Sequence, residues 1–145
     1  MQPSLLAIET STALCSVALR LGDGPVLERS EFGSTVHSAA LLPMIQSLLA
    51  EADCTLGALD LIAVGKGPGS FTGLRIGIGV AQGLAYGARI PLFGATSLEC
   101  LARQQMAMTP AGSVWTAIDA RMNEVYWATF TGSDHPSGAL SMMGR

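Results

Sequence analysis

The stretch from residue 59 to residue 77 reads LDLIAVGKGPGSFTGLRIG. Its first seven residues form an apolar run without alternation apart from Asp60, which predicts a buried and parallel β-strand. A glycine-rich loop follows, and a helix is predicted over about 70–87. A buried strand that passes through a loop into a helix is typical of α/β proteins.

The residues on either side of this stretch predict that its strand belongs to a mixed sheet. Before it, three short runs joined by turn signals predict an antiparallel meander, and apolar residues at helical spacing then predict a helix. After it, a strand and a further helix follow. The predicted strands are 4–9, 14–21, 26–32, 59–65 and 90–94, with helices at 38–52, 70–87 and 97–107. The expected architecture is an α/β lobe, a mixed five-stranded sheet with helices on its faces.

Thr109-Pro-Ala-Gly112 is the best domain boundary that the sequence offers. Beyond it, 114–119 and 124–130 read as a hairpin, and the final fifteen residues have no convincing pattern. We therefore predict a first lobe over 1–108 and the beginning of a second, incomplete lobe over 109–145.

Composition excludes several functional classes. Charged residues make up 13% of the 145 residues and the net charge is −3, so intrinsic disorder is excluded. Lys66 is the only lysine and seven arginines are dispersed, which argues against independent binding of nucleic acid. The most apolar stretch, 72–88, contains Arg75, Gln82 and five glycines, which argues against a membrane span. The N-terminus lacks the pattern of a signal peptide, and three dispersed cysteines favour a reducing, cytoplasmic location.

The glycine-rich loop and its helix have two interpretations each. A strand-to-helix loop is a possible anion site, but its spacing matches neither a Walker A loop nor a dinucleotide fingerprint, so a tight turn with close packing is favoured. In the helix, Gly73 and Gly77 form one row, and Gly79, Gly83 and Gly87 form another. We expect the protein's own sheet to lie against one row and a partner chain against the other.

Polar residues follow the first strand of each lobe. Glu9, Thr10 and Ser11 end the first, and Asp119 and Arg121 end the equivalent strand of the second, so together they suggest a phosphate clamp between lobes. Each group alone is also a common turn. The chain has only two histidines, and we interpret His37 as a helix cap and predict no metal site.

Several motifs together resemble the TsaB (YeaZ) family. They are Ile8-Glu-Thr-Ser11, His37-Ser38 before Leu-Leu-Pro43, Gly67-Pro-Gly-Ser-Phe-Thr-Gly-Leu-Arg-Ile-Gly77, and Ala117-Ile-Asp-Ala-Arg121 before Glu-Val-Tyr126. The resemblance implies two RNase H-like lobes of the actin, Hsp70 and sugar-kinase superfamily. It also implies a non-catalytic role beside TsaD and TsaE in bacterial synthesis of threonylcarbamoyladenosine in tRNA. TsaD carries a metal-binding His-x-x-x-His where this chain has Ser97 and Leu101.

The resemblance suggests a scaffold or activator subunit that is not itself an enzyme. Its expected partners are TsaD-like and TsaE-like proteins, with a homodimer in isolation, tRNA contacted only through the complex, and no membrane. The predicted interface consists of Leu41, Ile45, Leu48, Leu49, Arg75, Ile76, Val80, Gly83 and Gly87. No cofactor is expected, and binding of ATP or ADP should be weak or absent at vestigial positions such as Glu9.

Two enzyme alternatives stay open. One is a small ATP-dependent phosphotransferase of the sugar-kinase type that uses Glu9 and Asp119 around a magnesium nucleotide. The other, less favoured, is a metallopeptidase-like protein, for which the sequence supplies no evident metal ligands.

Overall fold

The structure is a computed structural model that describes residues 2–33, 36–109, 112–131 and 141–143. It forms two compact units that divide between Ala95 and Thr96, with Gly67–Gly69 grouped with the second. Each unit has its own sheet, which confirms the predicted α/β architecture.

The sheet of the first unit has five strands. They are β1 (Leu5–Glu9), β2 (Leu14–Arg20), β3 (Val26–Phe32), β4 (Leu61–Gly65) and β5 (Leu92–Ala95), in the spatial order β3-β2-β1-β4-β5. The first three pair antiparallel, whereas β4 lies parallel to both β1 and β5. The predicted meander and the predicted parallel strand are thereby confirmed.

Two helices cover one face of this sheet. They are α1 (His37–Glu51), which packs on β2 and β3, and α2 (Phe71–Ala88), which packs on β4 and β1. The core between the layers contains Leu6, Ile8, Val17, Leu19 and Ile62 from the strands, and these side chains are almost fully buried. Alternate residues of β1 and β2 therefore point into the core, as a strand with one covered face requires.

The second unit contains α3 (Ser97–Met108), β6 (Ser113–Arg121), β7 (Glu124–Thr131) and β8 (Ser141–Met143). The strands form an antiparallel sheet, and Leu98 and Ala102 of α3 pack against Val114, Ala128 and Phe130. The predicted boundary at residue 109 is therefore wrong, because the apolar face of α3 contributes to the core of the second unit. β8 was also not predicted.

Smaller differences have local causes. The parallel strand begins at Leu61 rather than at residue 59, and the Asp60 carboxylate instead accepts a hydrogen bond from the Ser4 N–H at 2.7 Å. α1 begins at His37 and continues past Pro43, which lies inside the helix on its exposed side. Within the described residues, no helix is long and apolar enough to span a membrane.

Candidate partner-binding face and strand-end site

The polar residues at the end of β1 bond to the chain itself. Glu9 Oε1 accepts a hydrogen bond from the Ser11 N–H at 2.6 Å. The buried Thr10 hydroxyl donates to the carbonyl of Gly73 in α2 at 2.8 Å. The Ser11 carbonyl accepts from the Ser70 N–H at 2.6 Å. These contacts join the end of β1 to the start of α2. They also occupy the donors that a phosphate would need, which are the Thr10 hydroxyl and the N–H groups of Ser11 and Ser70.

The first glycine row of α2 lies against this strand end. A Cβ added to Gly73 would overlap the Thr10 carbonyl oxygen, and one added to Gly77 would overlap the Thr10 hydroxyl. Ser70 caps the helix, because its hydroxyl accepts a hydrogen bond from the Gly73 N–H at 3.3 Å. The tight-turn interpretation of the loop fits this geometry, in which one of the helix-terminal N–H groups is already bonded.

The second strand end repeats the local geometry of the first. Asp119 Oδ1 accepts a hydrogen bond from the Arg121 N–H at 2.7 Å, two residues further on, as Glu9 does in β1. Arg121, Met122 and Asn123 then all adopt left-handed backbone angles, which close the β6–β7 hairpin. Both carboxylates thus stabilise turns, and a phosphate clamp formed by the two strand ends stays a prediction.

The apolar stripe of α1 faces the sheet. Leu41, Ile45 and Leu48 are at most 2% exposed and belong to the core of the first unit, so the prediction that they contact a partner is wrong. Leu49 is only partly buried against the same core. An amphipathic pattern indicates that a face is buried, and here the protein's own β2 and β3 cover it.

Residues of α2 divide between the core and the surface. The predicted contacts Ile76 and Val80 are half-buried against the core. By contrast, a Cβ added to Gly79, Gly83 or Gly87 would meet no described atom within 4 Å apart from its chain neighbours and the backbone of α2 itself. Tyr86, one turn beyond Gly83 and two beyond Gly79, is 88% exposed on the same side. We call Gly79, Gly83, Tyr86 and Gly87 the glycine face.

Arg75 and Phe71 of α2 and Leu42 of α1 are further exposed residues of these two helices. The guanidinium carbon of Arg75 lies 3.8 Å from the ring centroid of Phe71, one turn earlier on α2, and both residues are exposed. This cation–π contact orients Arg75 along the helix surface. On α1, Leu42 is 44% exposed, on the side opposite the core stripe. Phe71 and Leu42 were not predicted as surface residues, although the i,i+4 spacing of Phe71 and Arg75 was a usable signal.

Two buried residues have structural rather than catalytic surroundings. His37 does not cap α1 as predicted, because its Nε2 lies 2.9 Å from the Thr12 carbonyl oxygen and ties the helix to the β1–β2 loop. Burial, and secondly the negative charge of Glu31, raise the pKa of the Cys15 thiol above its usual range. A thiol that stays protonated is a weak nucleophile.

The described residues contain no group of three or more His, Cys, Asp or Glu side chains placed to hold a metal ion. At the positions where TsaD is expected to carry two histidines, Ser97 is buried at the start of α3 and Leu101 is 42% exposed. A leucine side chain has no donor atom for a metal.

Comparison with known proteins identifies the class to which this geometry belongs. Residues 31–135 match the family model described as "TsaD: tRNA N6-adenosine threonylcarbamoyltransferase". The chain is 47% identical over 126 residues to the Escherichia coli tRNA threonylcarbamoyladenosine biosynthesis protein TsaB, covering 87% of this chain and 54% of that protein. The Haemophilus influenzae TsaB protein is 46% identical over 125 residues, which cover 86% of this chain and 52% of that protein.

A solved structure named YeaZ from Pseudomonas aeruginosa superposes with a TM-score of 0.85 at 44% identity and covers 100% of this chain and 66% of that one. The chain belongs to the TsaB (YeaZ) family. It spans about half the length of the curated relatives it matches.

Proposed function

We propose that this chain takes part in the synthesis of threonylcarbamoyladenosine in tRNA as a non-catalytic subunit. In this role it binds a TsaD-like protein and, with it, a TsaE-like protein, and reaches tRNA only through that complex. The names of its relatives support the pathway. The observation that supports a role in binding is the glycine face of α2.

The glycine face is costly unless something covers it. Each glycine in a helix interior costs about 1 kcal/mol relative to alanine, so Gly79 and Gly83 together cost about 2 kcal/mol, whereas Gly87 lies in the last turn of α2. Gly73 and Gly77 are required by their contact with Thr10, whereas the three outward glycines meet no described atom within 4 Å of an added Cβ. A helix of a partner chain that approaches this backbone closely would offset the cost.

The partner surface extends from α2 onto the outer side of α1. The two helices pack against each other, and Leu42 of α1 and Tyr86 of α2 add exposed apolar area. In isolation a second copy would cover the glycine face, so two helices from each chain would form a four-helix contact. In the complex the TsaD-like partner would replace that copy.

The internal bonds of Glu9 and Thr10 support a non-catalytic role and weak binding of ATP or ADP. A carboxylate that already accepts the Ser11 N–H, and a hydroxyl that already donates to α2, are not preorganised for a magnesium nucleotide. No observation favours the phosphotransferase or the metallopeptidase alternative.

The test of the glycine face is the mass of the protein in solution, measured by light scattering over a range of concentrations. The chain mass is 15.0 kDa, and we expect the unaltered protein to approach twice that value. Gly83→Leu should reduce the mass to that of one chain and prevent co-elution with a TsaD-like protein. Gly57→Leu is the matched control, because Gly57 also has open space at an added Cβ but belongs to the short turn Leu56–Ala58 before β4 and not to α2. An unchanged mass and co-elution for a folded Gly83→Leu protein would contradict the proposed face.

A further inference from the structure

β5 is an edge strand of the five-stranded sheet, and no strand among the described residues pairs with its outer side. Its inner side bonds to β4, since the Pro91 carbonyl accepts the Ile62 N–H at 3.0 Å and the Ala95 carbonyl accepts the Lys66 N–H at 2.8 Å. Alternate residues of a strand bond to the same neighbour, so the backbone groups of Leu92 and Gly94 face outward. An edge with outward N–H and C=O groups is a template for another strand.

The two edges of the sheet differ in charge. The opposite edge strand, β3, contains Glu28, Arg29 and Glu31, and charged side chains protect edges from unwanted pairing. β5 has the sequence Leu-Phe-Gly-Ala without a charge, and Phe93 is 59% exposed. The short length of β5 limits pairing to a few residues, so side-chain contacts would have to supply additional affinity.

A groove beside β5 can supply those contacts. It has a volume of about 720 Å³ and lies between the C-terminal half of α2 and the start of β5, lined among others by Gln82, Tyr86, Ile90 and Leu92. Side chains of an added strand would alternate between the two faces of the sheet. One set would enter the groove, and the other would lie beside Phe93.

The charge around this edge selects the occupant. Arg89 is the one charged residue among the described residues that line the groove. At the other end of β5, the stem of Lys66 lies against Gly94, with its Cδ 3.0 Å from the position of an added Cβ. Two cations thus flank the edge in a chain whose net charge is −3.

We propose that the β5 edge and its groove bind an extended acidic peptide segment of a partner protein, which adds a sixth strand to the sheet. The segment pairs with the outward backbone groups of Leu92 and Gly94. Its carboxylates meet Arg89 and Lys66, a complementarity that a second copy of the uncharged β5 would not offer. The groove shares Tyr86 and Gly87 with the glycine face, but the backbone groups and the cations that would bind the segment lie outside that face, so the proposal does not rest on the proposed function.

The test uses the full chain and a series of fluorescein-labelled octapeptides in which Val and Thr alternate. A pair of Glu residues is placed at a different position, or register, in each peptide of the series. Fluorescence anisotropy should show saturable binding of at least one register, and replacement of Glu by Lys should weaken it about tenfold. N-methylation of alternate amides should weaken it about tenfold as well, because it removes the strand's hydrogen bonds. The proposal would be overturned if none of the Glu-containing peptides showed saturable binding below about 1 mM.

Matched variants identify the surface. Arg89→Gly should weaken binding several-fold while keeping the fold, because Arg89 has a left-handed φ of 59° that suits glycine. Arg29→Gln removes the same charge at the opposite edge and should leave binding unchanged. Equal binding of the N-methylated peptides, or equal losses in both variants, would contradict strand addition at β5. Loss of the dimer in Arg89→Gly would also contradict the proposal, because a second copy of the chain would then occupy the edge.

Discussion

The contact between Gly77 and Thr10 leads to a quantitative prediction for a single methyl group. In Gly77→Ala the new Cβ would overlap the Thr10 hydroxyl and come within 3.3 Å of Thr10 Cβ and Cγ2. Such overpacking costs about 1–3 kcal/mol. Displacing the buried hydroxyl would also weaken its bond to the Gly73 carbonyl, worth about 1 kcal/mol. The helix-propensity gain of alanine offsets about 1 kcal/mol, so we expect a net loss of about 1–3 kcal/mol.

The same substitution on the other side of the helix serves as the control. Gly83→Ala meets no described atom within 4 Å, so it should stabilise the monomer by up to about 1 kcal/mol. The assay is urea unfolding followed by circular dichroism at 222 nm, at concentrations low enough to keep each protein monomeric, because self-association would add stability. Equal stability of the two variants, or a Gly83→Ala protein less stable than Gly77→Ala, would refute this assignment of the two glycine rows.

Four further substitutions test the packing, the strand-end contacts and the buried Cys15 thiol. Leu48→Ala should lower the unfolding free energy by about 2–5 kcal/mol because Leu48 is fully buried. Leu42→Ala, on the exposed side of α1, should change it by less than about 1 kcal/mol. Similar urea midpoints for the two variants would contradict the burial of the α1 stripe. Thr10→Val keeps the side-chain shape but removes the donor to α2, so the unfolding free energy should fall by about 1–3 kcal/mol, and an unchanged midpoint would argue against that bond. Because the pKa of the Cys15 thiol is raised in the folded chain, the unfolded chain loses the thiol proton at lower pH. The unfolding free energy should therefore fall as pH rises through this alkaline range. In Cys15→Ala, the plot of urea midpoint against pH should have a smaller slope.

Residue patterns predicted most of the first unit because its elements are encoded locally. Alternation and turns defined the antiparallel strands, and an unbroken apolar run defined the parallel one. What surrounds an apolar face is not encoded locally. The stripe at Leu41, Ile45 and Leu48 fits a partner chain as well as it fits the protein's own sheet, and only the packing of α1 on β2 and β3 distinguishes them.

The domain boundary and the two glycine rows illustrate the same limit. Thr109-Pro-Ala-Gly112 has the composition of a linker, yet α3 before it packs on the strands after it, because Leu98 and Phe130 meet in one core. Gly73 and Gly83 belong to helical rows with the same four-residue spacing. The row that contains Gly73 is explained by its contact with Thr10, which is distant in sequence. The row that contains Gly83 faces open space, and the sequence alone does not show this difference.

The most direct test of the proposed role is the transfer of a threonylcarbamoyl group from its adenylate to tRNA by purified TsaD-like and TsaE-like proteins from the same organism. Nucleoside analysis should detect the product when this chain is added, and much less without it. The folded Gly83→Leu variant should fail to support the reaction, while Gly57→Leu should support it fully. Equal product without the chain, or with Gly83→Leu, would contradict a subunit that acts through the glycine face.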